Sequence, residues 1–266
     1  MTIPTVRHPA IAIEDLSLSP DWLGGDGFRS QVFNALSQCF PVGEGYFIAA
    51  ANQALPLLER EEDRALVHAF IGQEVSHSTL HRRLNRRLRQ TGLRNLVEPV
   101  VAWRIRLSRA LSPRTHLAIT MAYEHFTAVF AQLLLGHPQW LEGCEPAMRL
   151  LWQWHAVEEW EHRAVAFDLY HRLGGGRKQR LGWFLYVSLL FCLDLTLQTM
   201  LNLLLSGLWR KPATWRQAAR FLLGREDLPR LLPPLWRHYL RLDFHPAQGG
   251  ESALVDAWLA EHAALF

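Results

Sequence analysis

The sequence contains little cysteine. Its three cysteines, Cys39, Cys144 and Cys192, are far apart in a chain of 266 residues, and no two have the Cys-x-x-Cys spacing. An odd number of widely spaced cysteines does not make a disulfide framework, and a thiolate zinc site needs cysteines that are close together. A metal site in this chain would therefore use oxygen and nitrogen ligands.

Several motifs of common enzymes are also missing. The chain has no Gly-x-Ser-x-Gly elbow, no Gly-x-Gly-x-x-Gly turn and no P-loop. The 28 basic residues are nearly balanced by 25 acidic ones, so the net charge is only +3, which argues against a nucleic-acid partner. The N-terminal residues lack the continuous apolar run of a secretory signal, and we therefore expect a cytoplasmic protein.

Strand-like alternation of apolar and polar residues is missing as well. Apolar residues recur instead every three or four positions, which predicts an all-α fold. Pro41 is expected to kink or split the first long helix. We predict long helices at residues 29–58, 62–90, 114–136, 146–173 and 178–208, and shorter ones near 95–110, 213–223, 229–241 and 252–264.

The second long helix carries Glu74, His77 and His81 on one face. Glu74 and His77 lie about 60° apart on the helical wheel, with His81 between them. Phe70 and Leu84 share this side, so the face is predicted to point into the core. A carboxylate and an imidazole in such a place need a compensating partner. His81 lies about 6 Å along the axis from His77, which favours a supporting position over metal ligation.

The fourth long helix repeats this arrangement. His155, Glu159 and His162 follow one another at positions i, i+4 and i+7, within roughly 60° of arc. Glu159 and His162 therefore form a second Glu-x-x-His pair. Glu158 and Glu161 are rotated away by about 100° and 160°, and we predict that they either support the site or lie on the surface.

Two other helices each carry a glutamate in an apolar setting, Glu44 in FPVGEGYF and Glu124 in MAYEHF. The order along the chain is then Glu, Glu-x-x-His, Glu, Glu-x-x-His. In a four-helix bundle such a set converges on two metal ions, as in ferritin-like di-iron and di-manganese proteins. One Glu-x-x-His alone is a weak signal, because exposed Glu and His are common. The combination predicts a dinuclear site formed by Glu44, Glu74, His77, Glu124, Glu159 and His162.

These ligands define the predicted domain organisation. Residues 1–28 are an N-terminal lead-in, and residues 29–175 form a ferritin-like four-helix bundle that holds the metal site. Residues 176–266 are a helical C-terminal extension that packs on the bundle. The fold class is thus all-α, a four-helix bundle with additional C-terminal helices.

Four motifs, PVGEGYF, FIGQEVSHSTLH, YEHFTA and WHAVEEWEHRAVAFDLY, also carry a family resemblance. Their ligand order resembles that of the ferritin-like di-iron carboxylate superfamily. The motifs resemble more closely a bacterial family described as predicted metal-dependent hydrolases. The resemblance extends from about Phe28 to Tyr170, with a weaker match through the apolar helix beyond. It implies a metal site at the glutamates and histidines of these motifs.

His155 extends the resemblance. A histidine four residues before the last Glu-x-x-His is similar to the extra ligand of the di-iron N-oxygenases that oxidise arylamines. This similarity implies a seventh ligand and a set of four carboxylates and three histidines. The alternative is a histidine that is hydrogen-bonded one turn away from the site.

Three functions are compatible with these residues. The first is an O2-dependent di-iron oxidase or oxygenase with two iron ions, or manganese or a mixed pair, acting on a small apolar substrate with an external electron donor. The second is hydrolysis by a metal-activated water, for which Glu158 is the one spare general base. The third is a storage or structural metal site. The residues favour the first.

Residues 181–208 form an apolar run that is long enough to span a membrane and is flanked by basic residues on both sides. Asp194, in the middle of the run, opposes simple spanning, because a central aspartate costs about 2.5–3.5 kcal/mol on insertion scales. We favour packing against the bundle or a homodimer partner, then contact with a membrane surface, then a true span.

Overall fold

The computed structural model describes residues 3–224, 228–248 and 252–265, and the predicted lead-in and extension also include residues that lie outside these ranges. The described residues form helices and loops without any strand, so the all-α prediction is confirmed. The helices are α1 (Gly27–Ala54), α2 (Glu61–Gln90), α3 (Glu98–Ser108), α4 (Pro113–Gly136), α5 (Pro146–His162), α6 (Val165–Arg172), α7 (Arg177–Leu205), α8 (Pro212–Leu223), α9 (Leu228–Tyr239) and α10 (Ser252–Glu261).

Local signals set several helix ends. The Asp26 side chain accepts a hydrogen bond from the backbone N–H of Arg29 at 2.9 Å and so caps the start of α1. Gly207, with a φ of 74°, follows α7 and turns the chain away earlier than predicted, so that helix ends at Leu205. The predicted helix 146–173 is divided into α5 and α6 immediately after His162.

The helix α1 is continuous from Gly27 to Ala54, so it is not split at Pro41, and the alternative, a kink, stays a prediction. Proline lacks the N–H that would bond to the carbonyl of Ser37, four residues earlier. Asn85 of α2 donates its side-chain amide to that carbonyl at 2.7 Å. Asn95 does the same for the carbonyl of Gln38, also at 2.7 Å. The Asn85 amide therefore replaces the one backbone hydrogen bond that proline removes, and Asn95 adds a donor to the next carbonyl.

Four helical segments surround the core. The helix α1 packs along α2, α4 packs along α5 and α6, and the two pairs are joined by contacts between α1 and α4 and between α2 and α5. Two apolar clusters fill this bundle. On α1 the first cluster ends at Phe40 and the second begins at Tyr46, and on α2 the clusters are separated between Phe70 and Leu80. Between the clusters lie the predicted ligands Glu44 on α1 and Glu74 and His77 on α2, together with other polar residues such as Gln73.

The helix α7 contacts α1 and α4 through one face. On that face the buried amides of Gln198 and Asn202 donate to Gln38 of α1 at 3.1 and 2.8 Å. The opposite face carries exposed leucines. By length and composition, α4 and α7 both qualify as membrane-span candidates, but 78% of the apolar window of α4 is buried, against 28% for α7. The high burial of α4 is that of a core helix.

Candidate metal centre

The structure brings all seven predicted ligands together in the core of the bundle. They come from four helices, and each residue is at most 3% exposed. One glutamate comes from α1, a glutamate and a histidine from α2, one glutamate from α4, and the rest from α5. The set is Glu44, Glu74, His77, Glu124, His155, Glu159 and His162.

The ligand atoms form two groups. Within each group the atoms lie within 4.8 Å of one another, and we call the groups the first triad, Glu44, His77 and His155, and the second triad, Glu74, Glu159 and His162. Glu124 belongs with the second triad, because its Oε2 lies 3.3 Å from His162 Nε2. Each triad offers oxygen and nitrogen atoms to one cation.

Glu159 lies between the two triads. Its Oε1 is 3.0 Å from His155 Nε2 and 3.6 Å from His77 Nδ1, and its Oε2 is 3.2 Å from His162 Nε2. Glu74 has a similar position, with Oε1 3.3 Å from His162 Nε2 and 3.8 Å from His77 Nδ1. These are the positions that bridging carboxylates take between two metal ions.

Three of the buried glutamates have carboxylates without any hydrogen bond among the described residues. Both carboxylate oxygens of Glu44, Glu74 and Glu124 are in this state, as is His77 Nδ1. Burial raises the pKa of all three carboxyl groups well above the ordinary value, and neighbouring carboxylates raise it further. Unpaired buried carboxylates are costly, and cations between them would remove that cost. The donor set therefore fits a metal pair.

Hydrogen bonds on the far side of each imidazole orient the rings. His77 Nε2 donates to Glu158 Oε2 at 3.1 Å, and His162 Nδ1 donates to Gln73 Oε1 at 3.1 Å. The nitrogen of each ring that faces the carboxylates is then an acceptor, as a metal ligand must be. Aromatic rings hold the imidazoles from the sides, with Phe70 against His162 at a centroid distance of 5.0 Å.

A chain of four residues fixes the orientation of His155. Asn85 donates to the Ser37 carbonyl at 2.7 Å, which leaves its side-chain oxygen to accept the Ser37 hydroxyl at 2.9 Å. Ser37 Oγ in turn accepts from His81 Nδ1 at 2.9 Å, so His81 Nε2 accepts from His155 Nδ1 at 2.8 Å. His155 Nε2 is therefore free to bind a cation. His81 has the supporting position that was predicted for it.

The lead-in contributes residues that sequence reasoning missed. Arg7 donates from its backbone N–H to Glu158 at 3.2 Å, and its guanidinium binds Glu161 at 2.7 and 2.8 Å. Gln73 donates to Glu161 at 2.9 Å and to the Thr5 carbonyl at 3.0 Å. Glu158, which is buried, and Glu161, which is partly buried, thus form a layer behind the predicted ligands. Burial raises the pKa of Glu158 to about 8, although Arg7 opposes this.

A cavity of about 500 Å³ adjoins the site. Glu44 and Glu159 form part of its wall, and most other lining residues are apolar side chains of α1, α3, α4 and α7. Among the lining residues, Arg104 of α3 and Asp194 of α7 form an ion pair. A cavity of this kind suits a mainly apolar ligand that reaches the carboxylates at one end.

Comparison with known proteins identifies the family of the chain. A family model described as "predicted metal-dependent hydrolase" matches residues 5–250. The chain belongs to this metal-dependent hydrolase family. No curated protein and no solved structure matches the chain. The family resemblance noted from the motifs is thereby confirmed, whereas the ferritin-like relationship stays a prediction.

The family description bears on the reaction as well. It supports a metal-dependent enzyme and agrees better with hydrolysis, the alternative prediction, than with oxidation by O2. It also agrees with the two triads. It names no metal, so iron and manganese remain predictions.

Proposed function

We propose that the chain is a dinuclear metalloenzyme that acts on an apolar substrate held in the adjoining cavity. The observation that carries this proposal is the group of three buried glutamates whose six carboxylate oxygens accept no hydrogen bond from any described residue. Glu44 lies in the first triad with His77 and His155, and Glu74 and Glu124 each lie 3.3 Å from His162 Nε2, which supports a pair of bound cations. The cavity, which reaches Glu44 and Glu159, supplies space for a substrate at the same place.

Some of the seven residues would bind one metal ion and others would bind both. Glu44, His77 and His155 would hold one ion, Glu124 and His162 the other, and Glu74 and Glu159 both. When bound, the pair supplies either a water of lowered pKa for hydrolysis or electrons for the reduction of O2. The bundle excludes bulk water, because every ligand residue is at most 3% exposed.

Hydrolysis is the reaction that the family comparison supports. Glu158 was the candidate general base for it, but its two oxygens face His77 and Arg7. Glu158 is also absent from the residues that line the cavity. We therefore assign it the role of orienting His77, and a hydrolytic reaction would draw its proton acceptor from the ligand carboxylates.

Oxidation by O2 is a second candidate, and the donor set favours it. Four carboxylates and three imidazoles without a thiolate suit iron or manganese, which change oxidation state. The mainly apolar lining of the cavity suits a substrate that offers few groups to hydrolyse. In this reading an external electron donor supplies the reducing equivalents.

One pair of assays separates the two reactions. The protein is loaded anaerobically with Fe(II) and mixed with O2 while oxygen uptake is recorded, and separately loaded with zinc or manganese and given a p-nitrophenyl ester of a medium-chain acid. Ester cleavage that is unchanged without oxygen is the expected result for hydrolysis, and stoichiometric oxygen uptake is the expected result for oxidation. If the metal binds and neither activity appears, the metal is structural and the enzymatic proposal is wrong.

Gly43→Phe is expected to weaken binding of an apolar ligand by at least about tenfold, because a phenylalanine side chain at this position enters the cavity. A Cβ built on Gly43 meets only a ring atom of Phe47 at 3.9 Å, so helix α1 accommodates the change. The measurement is titration with a dansyl-labelled undecanoic acid, followed by fluorescence.

Gly45→Phe is the matched control. Gly45 lies two residues further along α1, is exposed, does not line the cavity and has open space around its Cβ. We expect this variant to bind the probe like the unmodified protein. Equal binding by both variants would show that the probe does not use the cavity.

A further inference from the structure

The proposed reaction leaves an exposed apolar surface on α3 and α7 unused. The two helices are held together by the Arg104–Asp194 ion pair and by Gln198, whose side-chain oxygen accepts from the backbone N–H of Leu96 at 3.2 Å. Large exposed apolar patches mark contacts with membranes or with other proteins. We define this α3–α7 face by the exposed residues Leu96, Val100, Trp103, Leu107, Leu185, Tyr186, Leu189, Leu193, Leu197, Met200, Leu204 and Leu205.

The face is continuous with the cavity. Trp103, Leu107 and Tyr186 are between 49% and 64% exposed, and all three also line the cavity. They therefore form its mouth, while Glu44 and Glu159 lie in its buried wall. An apolar molecule that lies against the α3–α7 face has a direct route to the candidate metal centre.

The charge around the face is strongly basic. Residues 177–224 contain a single acidic residue, Asp194, which is paired with Arg104. They contain seven basic residues, of which Arg180 is buried and six are exposed, namely Arg177, Lys178, Arg210, Lys211, Arg216 and Arg220. Exposed Trp209 and Trp215 accompany the basic residues beyond the C-terminal end of α7. Basic and indole side chains at the edge of an apolar face suit the headgroup region of an anionic bilayer.

We propose that the α3–α7 face docks on the surface of an anionic lipid bilayer and that the mouth of the cavity admits an acyl-chain substrate from it. Apart from Leu205, the exposed leucines of α7 lie within about 120° of arc and extend over about 28 Å, so the helix lies along the membrane plane. A span would place the buried amides of Gln198 and Asn202 in lipid, whereas docking keeps them against Gln38. Substrate entry rests on the proposed function, but docking does not.

Charge also argues for lipid over a second copy of the chain. In a two-fold dimer the same face of each copy is buried against the other. Both ends of α7 carry exposed basic residues, Arg177 and Lys178 in its first turn and Arg210 and Lys211 after its last turn. Either alignment of two such helices places like charges opposite each other, which is unfavourable. Anionic headgroups are complementary to both ends.

Co-sedimentation with vesicles tests the docking. The whole chain is mixed with vesicles of phosphatidylcholine that contain a third of phosphatidylglycerol, and with vesicles of phosphatidylcholine alone. We expect binding to the anionic vesicles that weakens with added salt. Leu189→Glu, on the face at 68% exposure, should lower the vesicle affinity by about tenfold. Leu57→Glu, with the same charge change at a 52% exposed leucine outside the face, should leave it unchanged.

Each outcome of the vesicle experiment either supports or overturns the docking proposal. Equal binding by the two variants, or no binding by the unmodified chain, overturns the proposal. A dimer in sedimentation velocity that only Leu189→Glu dissociates assigns the face to a second copy, which also overturns it. Circular dichroism melting checks that both variants are folded.

Metal analysis of the same samples keeps this proposal separate from the proposed function. Vesicle binding without bound metal supports docking and contradicts the metalloenzyme. Transfer of the dansyl-labelled acid from vesicles to the protein tests substrate entry. We expect transfer to the unmodified protein and to Gly45→Phe, and at least about tenfold less to Gly43→Phe. Undiminished transfer to Gly43→Phe would contradict entry through the cavity.

Discussion

Glu159→Gln is expected to abolish the binding of both metal ions. One oxygen of Glu159 faces His155 and the other faces His162, so this residue contacts both triads. Glutamine has the same shape but offers one neutral oxygen acceptor, and its amide nitrogen would point at a cation. Loss of a residue that only supports a ligand lowers metal affinity by about 10- to 100-fold, so loss of a shared ligand should exceed about 100-fold.

Glu44→Gln should have a different effect from Glu159→Gln. Glu44 belongs only to the first triad, so we expect the metal content to fall from about two ions per chain to about one. Elemental analysis after equilibrium dialysis measures both stoichiometries. A metal content that stays at about two in Glu159→Gln would contradict the bridging position.

Glu62→Gln controls for the loss of a negative charge on the ligand-bearing helices. Its side chain is 77% exposed near the start of α2, and its ion pair among the described residues is with Arg60 on the surface. We expect this variant to bind the full complement of metal. Circular dichroism of all three variants distinguishes loss of a ligand from loss of the fold.

The sequence predicted the ligands because helical spacing places them without knowledge of the tertiary structure. Glu74 with His77, and Glu159 with His162, share helix faces at any angle between the helices. Only the alternation along the chain linked them to Glu44 and Glu124, and the structure places these residues together. Helix periodicity and the absence of alternating segments likewise predicted the all-α fold.

Other features depend on contacts that no local pattern contains. Arg7 comes from the lead-in and reaches Glu158 and Glu161 across about 150 residues of chain. The continuity of α1 through Pro41 depends on an asparagine from α2. Gln73 is different, because its position beside Glu74 in a ligand motif is a local signal from which its contact with the site could have been predicted. The mouth of the cavity is formed by α3 and α7, and their pairing could not be read from either segment alone.

Removing the metal should make the stability of the protein fall as the pH rises. In the metal-free chain, burial raises the pKa of Glu44, Glu74 and Glu124 well above 4.5, and that of Glu158 to about 8. A group with a raised pKa in the folded state stabilises the fold below its unfolded pKa, and this contribution is lost as the pH rises through the folded pKa. Each such group changes the unfolding free energy by about 1.4 kcal/mol per pH unit while it titrates.

Other groups make the stability rise with pH, and their pKa values set the pH range in which the effect of the raised carboxyl pKa values can be measured. Burial lowers the pKa of His77 and His81 below 6.5, so their contribution to stability rises with pH and is complete above that value. Burial opposes ionisation of Glu159, but His162 and His155 outweigh it and lower its pKa, so its contribution is complete above 4.5. Of these groups, the carboxyl groups with raised pKa are the ones that still change the stability with pH above about 6.5.

Bound metal should reverse this trend, because the ligand carboxylates are then held as anions and metal binding releases protons. At a free metal concentration of 100 times Kd, each ion adds about 2.7 kcal/mol, or several degrees in Tm for a chain of this size. We therefore expect the difference in Tm between metal-loaded and chelated protein to grow from pH 6.5 to pH 8, as measured by calorimetry. In Glu62→Gln the difference should grow equally, and in Glu159→Gln it should vanish at every pH. A difference that is constant across this range would mean that the buried carboxyl groups do not exchange protons for metal.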